Sequence, residues 1–145
     1  MDQSLMQYII IAELLVVVAI IGVLVAISIP IFTSQLEKSR DAVTLSNIRA
    51  AYAQAQTSYL TQDTASTDAK YTAKDDGTAT VVVTGVEAKG TSGTIDNFDQ
   101  LPFADAAKAS LNTDGTMGGT PKKYDLTFTY SKTGVITSVT CAASK

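Results

Sequence analysis

The sequence predicts an α+β subunit: a long N-terminal α-helix, apolar in its first half and amphipathic in its second, packed on a small antiparallel β-sheet. Three observations predict it. From Ile9 to Phe32 the only charged residue is Glu13, and Leu14–Ile27 is an unbroken run of 14 residues without a polar side chain. Beyond Phe32, Leu45, Ile48, Tyr52, Ala55 and Tyr59 recur at spacings of three and four, the period of one helix face. Near the C-terminus, Tyr124, Leu126, Phe128 and Tyr130 alternate with Asp125, Thr127, Thr129 and Ser131, the period-two pattern of a strand with one face covered.

The elements follow in order. Residues 1–8 read as a leader-like segment, although no Lys or Arg occurs before Lys38. Residues 9–32 form a membrane-spanning or filament-core helix, since a hydrocarbon core takes about 20 apolar residues in helical form. At about 2 kcal/mol per large apolar side chain, leaving the run from Leu14 to Ile27 in water costs on the order of 25 kcal/mol. That excludes a soluble monomer and requires lipid or partner helices around the segment. Small residues at Ala19, Gly22, Ala26 and Ser28 permit close helix approach. Pro30 cannot donate to the Ala26 carbonyl and Gly22 lowers local helix propensity, so a kink or loosened stretch is expected between them. The hydroxyl of Ser28, or a neighbouring subunit, is the expected replacement partner for the freed carbonyl.

Residues 33–60 continue as an amphipathic helix whose stripe of Leu45, Ile48, Tyr52, Ala55 and Tyr59 should face the sheet. A helix running from Ile9 to Tyr59 spans roughly 75 Å. Residues 61–145 hold a surface loop and the antiparallel sheet. Within them Thr61–Asp76 reads as loop and Thr78–Val86 as a β-branched strand. Asp96–Leu111 is irregular with a short helix after Pro102, and Gly115, Gly118 and Gly119 mark a loop. The turn Lys132-Thr133-Gly134 joins Tyr124–Ser131 to Val135–Cys141 as a hairpin.

Composition removes several function classes. With 11 basic and 14 acidic residues the net charge is −3, so no basic field exists to hold a nucleic-acid backbone. There is no histidine, which removes the common zinc sites and imidazole acid/base catalysis, and no nucleophile–base–orienter set can be assembled. No enzymatic activity and no cofactor is therefore expected. The single cysteine, Cys141, reads as a small strand residue rather than a reactive thiol. Asp75-Asp76-Gly77 and Asn112-Thr113-Asp114-Gly115 carry some oxygen ligands of a calcium loop but lack its spacing and closing Glu, so turns are expected. Lys122-Lys123 reads as the solvated start of a strand, and Tyr124, Phe128 and Tyr130 as packing residues before any ligand-binding face.

The segment from Glu13 through Gly22 to Pro30 (ELLVVVAIIGVLVAISIP) resembles the N-terminal signature of type IV pilins and pseudopilins: a lone acid, a glycine nine residues later and a proline eight beyond that. The close resemblance, Ile9–Phe32, covers about a sixth of the chain. It implies a homo-oligomeric helical filament whose subunits wait in the bacterial cytoplasmic membrane and end in an extracellular pilus. It also implies a prepilin peptidase and a pilus assembly machinery as partners. Adhesion, twitching motility, DNA uptake and secretion all stay open. By the same resemblance, Glu13 pairs with the free α-amine of a neighbouring subunit, and the processing site falls between Tyr8 and Ile9. There the sequence departs from the family, which has a basic leader ending in glycine where this chain has Tyr8. The residues themselves leave two alternatives for Glu13: an interfacial acid reaching water, or an ion-pair partner within an apolar layer. A monomeric signal-anchored surface domain with an adhesive or carbohydrate-binding role is the alternative to the filament.

Overall fold

The computed structural model describes residues 2–145. Among these the order is α1 (Gln3–Thr61), β1 (Ala69–Ala73), β2 (Ala79–Glu87), a single 3-10 turn (Phe98–Gln100), α2 (Ala104–Leu111), β3 (Lys123–Tyr130) and β4 (Ile136–Ala143). The strands form one antiparallel sheet in the order β1-β2-β3-β4. The expected α+β arrangement of a long N-terminal helix on a small antiparallel sheet is therefore what the chain adopts. The chain divides into two compact units, one ending at Leu36 and the other running from Glu37 to Lys145.

In the first unit the helix is continuous from Gln3 onward, with Pro30 inside it. The loosening expected between Gly22 and Pro30 does not occur in the single chain. Pro30 costs about 3 kcal/mol at that turn, and the helical ladder on either side nevertheless runs continuously through it. Ser28 Oγ donates to the Leu24 carbonyl at 2.7 Å and Thr33 Oγ1 to that of Ile29 at 2.9 Å. Ser28 thus bonds its own i−4 carbonyl instead of the Ala26 carbonyl that Pro30 leaves without a helical donor. The leader-like residues are helical from Gln3 on, continuous with α1, and Met1 lies outside the described residues.

The second unit is built on the helix stripe and the sheet. Leu45, Ile48 and Ala55 are buried, while Tyr52 and Tyr59 are partly buried and pack on the same core. Tyr59 stacks on Tyr130 with centroids 4.1 Å apart and meets Tyr71 edge-on at 6.1 Å; Tyr52 lies 5.0 Å from Phe103. Tyr124, Leu126, Phe128 and Tyr130 all point into the core, so the alternation in β3 marks packing. Thr127 and Thr129 take the other face, opposite Thr140 and Ser138 of β4.

Two segments differ from expectation. Thr61–Asp76 is not all loop, because β1 lies within it and pairs Tyr71 with Val81 at the sheet edge. Only Ala69 and Tyr71 of its residues are buried, which is too little alternation to identify a strand before its partner is known. The stripe on α1 is also wider than the five residues expected, since Ala51 and the polar Asp41, Thr44 and Ser58 are buried on it. Ser58 Oγ donates to the Ala69 carbonyl at 2.6 Å and thereby ties β1 to the helix.

Tyr130 carries a polar liability of the core: among the described residues its hydroxyl, like Asp41 Oδ1, is buried without a hydrogen-bond partner. Burial pushes this phenol well up, and the neighbouring Tyr52 and Tyr59 push it further. Tyr130→Phe keeps the stacked ring and deletes the unpaired group, so it should leave stability unchanged or raise it by about 1 kcal/mol. A higher thermal midpoint for the variant checks this, and a drop of several degrees would contradict it.

Candidate assembly helix

The functional residues expected from the sequence fall into two groups that the fold treats differently. The packing group, Leu45, Ile48, Tyr52, Ala55 and Tyr59, is gathered into the core of the second unit. The assembly group, Ile9, Glu13, Gly22 and Pro30, with Tyr8 of the processing pair, is strung along the first unit on one exposed helix. Glu13 belongs to none of the ion pairs among the described residues. A Cβ built on Gly22 meets nothing within 4 Å.

From Leu14 through Phe32 every large apolar side chain is at least 47 % exposed, on every side of the helix. That uniformity decides the site's character. An amphipathic helix buries one stripe, whereas a helix apolar all round needs a surrounding apolar medium or surrounding helices. Ile9–Phe32 has 24 residues, about 36 Å in helical form against a hydrocarbon core of about 30 Å. The chain therefore carries one helix near its N-terminus that is long and apolar enough to cross a membrane. Leu24, Val25, Ser28, Ile29 and Phe32 frame a shallow groove along it.

Glu13 lies about one turn from Ile9, and its carboxylate is the sole charge on the segment. The Tyr8–Ile9 bond lies in the second turn of α1.

Where the helix continues into the second unit, a row of its side chains holds the segment 87–96 by that segment's backbone. Glu37 accepts from the Thr91 amide at 2.6 Å, the Ser92 amide at 2.9 Å and the Thr91 hydroxyl at 2.8 Å. Asp41 Oδ2 accepts from the Asp96 amide at 3.2 Å, Thr44 Oγ1 from the Lys89 amide at 2.9 Å, and Asn47 Nδ2 donates to the Glu87 carbonyl at 3.0 Å. Sequence reasoning missed this row. Its only signal was polar residues at helical spacing beside the apolar stripe.

Burial alone would raise the Glu37 carboxyl, but the bonds from Ser92 and Thr91 outweigh it and hold the group down at about 2, against an ordinary 4.5. A depressed carboxylate contributes stability fully above its unfolded value and loses it as pH falls through the folded one. Glu37 should therefore support segment 87–96 above pH 4.5 and progressively lose that support toward about 2. Glu37→Gln should flatten the acid limb of an unfolding-versus-pH curve in this window; an unchanged limb would contradict the assignment.

The remaining candidates are turns and packing. Asp76 Oδ1 accepts from the Thr78 amide at 2.9 Å, with Gly77 at φ +84° completing the turn. Asn112 Oδ1 accepts from the Ile95 amide, and Gly115 sits at φ +80°. Lys122 Nζ lies 5.6 Å from the Tyr124 ring centroid. Cys141 is partly buried, its Sγ donates to the Ser110 carbonyl at 3.1 Å, and burial pushes the thiol up, away from reactivity. No protein-family model, no curated protein and no solved structure matches the chain.

Proposed function

We propose that the chain is a structural subunit, a pilin, of a type IV pilus or related filament, stored in a membrane and polymerised through its N-terminal helix. The observation that carries this reading is the helix from Leu14 to Phe32, whose large apolar side chains are exposed on every side. A lone membrane anchor needs only apolar length. The spacing of Glu13, Gly22 and Pro30 adds what a helix-packing role uses: a single charge available for pairing, a small residue for close approach, and a backbone carbonyl left open. In the filament, Glu13 pairs with the α-amine that a cut before Ile9 would create on the next subunit. The second unit is then displayed on the fibre surface, where an adhesive or motility role would reside.

Electron microscopy of material sheared from expressing cells tests the reading, with antibody against the second unit as the label. Labelled fibres support it, and a chain found only in membranes overturns it. Tyr8, standing where glycine would precede the cut, favours the second reading, a monomeric surface domain that keeps residues 1–8 and stays in lipid.

A further inference from the structure

We draw no further inference here: the strongest candidate, the exposed back of α1 in the second unit, where Val43, Ala50, Ala53 and Leu60 lie opposite the stripe packed on the sheet, is an unpartnered helix face, and nothing in the structure shows what covers it.

Discussion

Glu13→Gln should leave the membrane-inserted pool of the chain intact and reduce the sheared-fibre pool at least tenfold. Glutamine keeps the size and removes the only charge between Ile9 and Phe32. Insertion depends on apolar length, which the substitution does not touch. Assembly under the proposed function depends on bringing an α-amine and a carboxylate together in an apolar layer. Leaving one of them unpaired there costs several kcal/mol per contact, whereas the intact pair roughly offsets its own desolvation and acts mainly on register. Each 1.4 kcal/mol is about a factor of ten in an equilibrium. Immunoblots of membrane and sheared fractions from wild type and variant read the effect, and equal fibre yields would remove the ion pair from the account. Mass spectrometry of the fibre subunit adds a second check: a chain beginning at Ile9 places the amine near Glu13, and one beginning at Met1 does not.

The largest loss of stability is expected from Phe128→Ala. Phe128 is fully buried on β3, an interior strand, with Val81 and Val139 as its cross-strand partners. Phe103 meets its ring edge-on at 5.5 Å, and Phe103 in turn packs on Tyr52 of the helix. Truncation removes the sheet's edge-on contact with Phe103 and leaves a cavity at the centre of the sheet face, at a cost of about 3–5 kcal/mol. Because a domain has only about 5–15 kcal/mol in total, the second unit should melt far earlier or fail to fold. The first unit should still insert, since insertion depends on the apolar length of its helix. Near-UV circular dichroism in detergent, beside a membrane-fractionation blot, separates the two outcomes. Unchanged melting would mean that the core does not depend on this ring.

Much of this organisation is legible in local pattern. The 14-residue run without a polar side chain states its need for an apolar environment whatever the rest of the chain does. Leu45, Ile48 and Ala55 announce a covered helix face because their spacing repeats with the helix itself. Tyr124 to Tyr130 announce a strand for the same reason with period two, and Lys132-Thr133-Gly134 places its hairpin, with Gly134 at φ +83°. Ile9, Glu13, Gly22 and Pro30, on which the proposed assembly role rests, lie along one uninterrupted helix, where sequence distance converts directly into axial distance.

Other features were decided only when distant segments met. Ser58 is buried because the Ala69 carbonyl, 11 residues away, receives its hydroxyl. β1 is a strand because β2 supplies its hydrogen bonds, and its own two buried residues do not suffice. Asp41 and Glu37 have no apolar period, and their place on the covered face depends on backbone donors 54 and 55 residues further along the chain. A sequence displays the periodicity of side chains that seek burial. It does not display which polar side chain will find a donor or an acceptor already waiting, because that partner's position is a property of the folded backbone.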